Sequence, residues 1–171
     1  MNKTVYKKII SLTLYLILSL LISFFIIENP FNSLKMQENI DITTQITMIN
    51  GEKRSIRNFL NKPLLINFWA PFCLPCLQEL DLLKDSYNQY KNRINFLGIS
   101  TFSSMEEIKS AKLAYDITYP LAIAGSHIAE KWGARALPTT YLIAIDGTII
   151  FSKIGVLNKE ELEKALYKIN K

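Results

Sequence analysis

The stretch Asn67-Phe68-Trp69-Ala70-Pro71-Phe72-Cys73-Leu74-Pro75-Cys76 holds both cysteines of the chain. It follows Leu64 to Phe68, a continuous apolar run after Pro63 that reads as a fully buried central strand. A helix is predicted to open at Leu74-Pro75, because proline suits a first helical turn, where its missing N–H costs nothing. That helix is expected to run to about Tyr90, with Cys76, Leu80, Leu83 and Tyr87 on one buried stripe. A Cys-x-x-Cys at a helix start is a chemical arrangement as well as a structural one. The free N–H groups and partial positive charge of a helix amino terminus stabilise a thiolate. Thiolates so placed attack disulfides. The first cysteine of such a pair is normally the exposed one, so Cys73 is assigned as nucleophile and Cys76 as the thiol that resolves the mixed disulfide.

Three blander readings compete. A structural disulfide over a two-residue spacer constrains the unfolded chain little. A zinc site lacks ligands, because His127 is the single histidine and no second cysteine pair exists. Two inert buried cysteines would be the default for scattered positions, and these are not scattered. Redox activity ranks above all three.

Outward from this centre, strands and helices alternate. Ile40 to Ile49 reads as a strand turned at Asn50-Gly51, and Arg57 to Leu60 as a short helical turn. Ile94 to Ser100 is the next strand. Ser104 and Glu107 form a capping box for a helix reaching about Tyr115. Ser126 to Trp132 reads as a short helix. Thr139 to Ile145 and Thr148 to Phe151 flank Asp146-Gly147, a strong hairpin signal. Asn158 and Glu161 cap a last helix, with Leu162, Leu166 and Ile169 inward. The pattern predicts an α/β domain over 40–171, with a mixed sheet covered on both faces.

The amino-terminal part differs. Lys3, Lys7 and Lys8 precede an uncharged run from Ile9 to Ile27. As a helix that run reaches about 28 Å, close to the ~30 Å hydrocarbon core of a bilayer. The reading is residues 1–8 cytoplasmic, 9–27 a transmembrane anchor, 28–39 a tether, and the domain on the outer, periplasmic side. A cleaved signal peptide is the rival, but the run is long and Phe24 to Glu28 offers no small-x-small site. The chain has 171 residues and a net charge of +5, yet beyond residue 27 it holds 17 basic and 15 acidic side chains without a basic run. Nucleic acid is therefore not an expected partner.

The quoted stretch resembles the active-site segment of thioredoxin-like proteins, and more narrowly the membrane-anchored TlpA/ResA/CcmG group of thiol–disulfide oxidoreductases. The resemblance extends through Gly98-Ile99-Ser100, Tyr119-Pro120, Trp132 to Ile143 and Asp146-Gly147, covering about residues 38–169. It implies a thioredoxin-like fold and a cis Pro138 lying against the cysteines. The backbone of Leu137 would then be open to an extended substrate, a form of strand addition. Trp69, Leu137 and Pro138 are the implied substrate-binding residues, Trp69 being part core and part active-site wall, and Pro75 and Phe72 support them. Thioredoxin has a buried aspartate where this chain has Asn67, so that proton relay does not carry over. The TlpA/ResA group has an acid three residues after the second cysteine, and Glu79 stands there. A half-buried carboxylate beside a thiol would hold or pass a proton; a solvent-facing helix glutamate is the equal alternative.

The resemblance implies reduction of protein disulfides, including those of apocytochrome c, with electrons from a membrane thiol donor and no prosthetic cofactor or metal. Three alternatives stand beside it. A copper chaperone of the same fold would use His127, which lies ten residues before Leu137. A disulfide-introducing oxidant would run the exchange backwards. A peroxidase would need a threonine where Ala70 stands.

Overall fold

The computed structural model describes residues 12–19 and 40–170. The chain divides into two compact units, Met1–Met36 and Gln37–Lys171. In the first, residues 12–19 are helical and their leucine and isoleucine side chains are exposed. Among the described residues no helix is long and apolar enough to cross a membrane. The expected anchor over 9–27 lies mostly outside the described residues, and the tether over 28–39 wholly so.

The second unit is built on a seven-stranded sheet: β1 (Gln45–Met48), β2 (Lys53–Ser55), β3 (Leu64–Trp69), β4 (Asn95–Ser100), β5 (Leu121–Ile123), β6 (Thr139–Ile143) and β7 (Ile149–Ile154). Their order across the sheet is β2-β1-β5-β4-β3-β6-β7. β3 pairs parallel with β4 and antiparallel with β6, so the sheet is mixed. The helices are α1 (Leu74–Gln78), α2 (Leu80–Tyr90), α3 (Met105–Ala114), α4 (Ser126–Lys131) and α5 (Lys159–Tyr167).

β3 is buried along its whole length, as its unbroken apolar run requires. Its residues alternate between two cores. Leu64, Ile66 and Phe68 enter one cluster, with Trp132 and Tyr141. The Phe68 ring meets those two edge-to-face at centroid distances of 5.6 and 6.2 Å. Leu65 and Trp69 enter the other, with Cys76, Leu80, Leu83, Phe96 and Tyr119. The second core is the one beneath the cysteines.

The main differences from the sequence reading lie in three elements. The first strand is shorter than Ile40 to Ile49. The Asp41 carboxylate accepts from Thr43 N–H at 3.0 Å and from the Thr43 hydroxyl at 2.6 Å, an Asx turn that delays the strand to Gln45. β2 was not expected, since three polar residues on a sheet edge carry no apolar alternation; Gly51 at φ 87° makes the turn that brings it back onto β1. The helix expected over 74–90 breaks at Glu79, whose backbone (φ −99°, ψ −3°) ends α1 and starts α2. That break turns the Glu79 side chain inward. The Ser104–Glu107 and Asn158–Glu161 capping boxes form as predicted.

Candidate active site

Cys73 is the N-cap residue of α1, just past the end of β3. Its N–H donates to Ala70 O at 3.1 Å, which closes the turn from strand to helix. Pro75 fills the first helical turn, where no N–H is needed. Cys73 and Cys76 form a disulfide. The Cys76 N–H donates to Cys73 Sγ at 3.3 Å, so the helix start supplies a donor to the sulfur that would carry negative charge after reduction. Cys73 is part-exposed and Cys76 is 1% exposed. An attacking group or a substrate reaches Cys73 and not Cys76.

The Leu137–Pro138 peptide bond is cis, as the resemblance implied. Pro138 is buried, and its carbonyl accepts from Gly155 N–H at 2.8 Å. Leu137 is half-buried and packs on the cluster that holds both cysteines. Its own N–H and C=O make no hydrogen bond among the described residues, which leaves them free for an incoming strand. Phe72 and Leu74 are 65% and 72% exposed, and Pro75 is exposed too, so an apolar surface rims the disulfide.

Trp69 requires a correction. It was read as part core and part active-site wall, and only the core part holds: it has no exposed surface and lies in the core beneath the disulfide. A side chain directed inward from a fully buried strand cannot reach a docked protein.

Glu79 resolves the other way from a solvent-facing glutamate. It is 1% exposed. Oε1 accepts from Asn67 Nδ2 at 2.7 Å and Oε2 from Leu157 N–H at 2.6 Å. Burial pushes its carboxyl up from 4.5 to about 7, against the two hydrogen bonds that favour the ionised form. A carboxyl held near neutrality at the helix break after Cys76 is suited to take or give a proton.

The sequence reading missed the surroundings of this carboxyl. Asn67 was read only as a lost aspartate, yet its Nδ2 bridges Glu79 and, at 3.0 Å, Thr140 Oγ1. The detectable signal was a polar residue inside an apolar central strand. Leu157 contributes through its backbone, which no pattern of side chains reveals. His127 lies in α4 and is exposed, and among the described residues no group of three or more His, Cys, Asp or Glu side chains gathers to hold a metal.

Comparison with known proteins follows the same lines. The AhpC/TSA family matches residues 35–152. The chain is 29% identical to the thiol–disulfide oxidoreductase ResA of Bacillus cereus, over 98% of this chain and 97% of that protein. It is 32% identical to the ResA of Bacillus thuringiensis, over 72% of this chain and 73% of that one. Among solved structures, a secreted disulfide oxidoreductase of Mycobacterium tuberculosis homologous to E. coli DsbE aligns with a TM-score of 0.65 at 18% identity, covering 74% of this chain and 96% of that one. StoA of Bacillus subtilis aligns at 0.61 with 21% identity, over 72% and 95%. These two likenesses establish the thioredoxin-like fold. The chain belongs to the AhpC/TSA family, and its ResA relatives are thiol–disulfide oxidoreductases.

Proposed function

We propose that this protein reduces protein disulfides by dithiol–disulfide exchange, as a thiol–disulfide oxidoreductase of the ResA/DsbE type. The observation that carries the reading is the part-exposed Cys73 at a helix start, bonded to a buried Cys76 and packed with the cis-proline loop. In the reduced protein the Cys73 thiolate attacks one sulfur of a substrate disulfide. A mixed disulfide forms and one substrate thiolate leaves. Cys76 then loses its proton to Glu79 and attacks Cys73 Sγ. The second substrate thiol is released and the Cys73–Cys76 disulfide remains. A second dithiol restores the starting state, so the cycle needs a thiol electron donor and no prosthetic group. The open backbone of Leu137 pairs with the substrate chain, and Phe72, Leu74 and Pro75 supply apolar contact.

The uncharged run from Ile9 to Ile27 behind three lysines supports tethering to the cytoplasmic membrane, with the domain outside. There the substrates include apocytochrome c, and the donor is a membrane thiol transporter. Removing residues 1–27 then releases the protein from the membrane fraction. The decisive test of the chemistry is Cys73→Ser. Insulin-disulfide reduction is expected to disappear, and its survival would overturn the mechanism.

A further inference from the structure

Glu79 lies between two N–H donors, Asn67 Nδ2 on Oε1 and Leu157 N–H on Oε2. Two donors suit a carboxylate, whose oxygens only accept. They do not suit the acid. Its O–H is itself a donor that needs an acceptor, and the oxygen that carries it accepts only weakly from an N–H.

An acceptor is nevertheless at hand. Asn67 Oδ1 is buried and has no hydrogen-bond partner among the described residues. Half a turn of the amide about χ2 exchanges Oδ1 and Nδ2 with almost no change of shape. Oδ1 then faces both Glu79 and Thr140 Oγ1, which now stand 2.7 and 3.0 Å from Nδ2. The Thr140 hydroxyl suits either state, because it accepts from an N–H and donates to a carbonyl. Each arrangement gives Asn67 two hydrogen bonds, but the first leaves Oδ1 unpaired and the second leaves the two N–H donors of Nδ2 unpaired, so the second is reached only when the Glu79 acid supplies its O–H.

We propose that Asn67 is a two-state positioning residue: its amide presents Nδ2 to the Glu79 carboxylate and, turned over, Oδ1 to the Glu79 acid, with the Thr140 hydroxyl reversing in step. The inference rests on the reading of Glu79 as the group that holds the Cys76 proton. Its consequence is that Glu79 stays in place through both protonation states, and a proton is taken up and returned without moving α1 or the segment at Leu157. An ionised aspartate at position 67 could not perform this task, since it lacks the donor.

The ionisable surroundings are few. On the same helical stretch are Cys73 and Cys76, which do not titrate while joined, and Asp81, Lys84 and Asp85, none of which acts on the Glu79 carboxyl. Tyr119, on the connection into β5, feels the Glu79 charge, and its hydroxyl is held far above its ordinary range chiefly by burial. The groups that reach Glu79 from β3 and from the segment after β7 are an amide and a backbone N–H, and no lysine or arginine bears on it among the described residues. Glu79 is therefore the titrating group of this pocket in the oxidised protein.

The test uses the oxidised full-length chain labelled with ¹³C and ¹⁵N, followed by NMR from about pH 5 to about pH 9, the window around a carboxyl held near neutrality. The Glu79 carboxyl carbon and the Asn67 side-chain NH₂ are expected to titrate with one shared midpoint. The amide-proton contact to Thr140, present at the alkaline end, is expected to vanish at the acid end. If Glu79 titrates while the Asn67 amide keeps its resonances and that contact, Asn67 is a fixed donor and the proposal is overturned. If Glu79 does not titrate in this range, its proton-holding role fails as well. Asn67→Asp, which when ionised presents only acceptors, is expected to raise the proton affinity of the carboxyl pair at least about tenfold. An unmoved midpoint in that variant also overturns the proposal.

Discussion

Replacing Glu79 by glutamine removes the one carboxyl that is buried among the described residues, and the size of the effect follows from its surroundings. The side chain is 1% exposed and its carboxyl rises from 4.5 in an open chain to about 7 in the folded protein. The folded state holds this proton more tightly than the unfolded chain. The associated stability is fully present below 4.5 and is lost as pH rises through 7. At about 1.4 kcal/mol per tenfold in proton affinity, the loss amounts to about 3 kcal/mol, most of it between about pH 5 and about pH 8. Carboxyls nearer the surface, such as Asp41, Glu107 and Glu161, shift the opposite way, chiefly through hydrogen bonds to Lys131, Ser104 and Lys153, but they are common to both proteins and cancel in the difference. Urea unfolding of oxidised wild type and Glu79→Gln, read by tryptophan fluorescence across that range, measures the difference directly. The stability of the variant relative to wild type should rise by about 2–3 kcal/mol from the acid to the alkaline end. Two curves that stay parallel would refute the reasoning, since the buried carboxylate would then carry no cost.

Gly98→Ala places a methyl 2.6 Å from Leu121 Cδ2, 3.0 Å from the Tyr119 ring and 3.1 Å from Trp69 Nε1. All three neighbours are fully buried, so a loss of about 1–3 kcal/mol in urea unfolding is expected. Phe68→Ala empties the centre of the other core and should cost about 3–5 kcal/mol, while the reduction potential of the cysteine pair, on the opposite face of β3, stays unchanged. Ser104→Ala removes the oxygen that accepts from Glu107 N–H at the start of α3 and should cost about 1 kcal/mol in the same assay.

The parts of the fold legible in the sequence were those where local signals agree with the global arrangement. Leu64 to Phe68 reads as a central strand because both its faces are covered, and the two capping boxes mark their helices because they satisfy free N–H groups within four residues. What escaped depends on partners distant in sequence. β2 exists only through its pairing with β1. The break at Glu79 has no proline or glycine to announce it; its carboxyl is held by Asn67 and Leu157, 12 and 78 residues away. Within the site, Cys73, Cys76 and Pro138 were readable from spacing and resemblance. For Trp69 only the core part of the reading holds, because the face of β3 that it shares with Leu65 is sealed by Cys76, Leu80 and Leu83.

The reduction potential of the Cys73–Cys76 pair, measured in the full-length protein against a glutathione series, tests the central claim most directly. A disulfide reductase predicts a value near that of thioredoxin, about −270 mV, and a need for a supply of electrons. A value near about −120 mV, typical of a strong periplasmic oxidant, would mean that the protein introduces disulfides and would contradict the account.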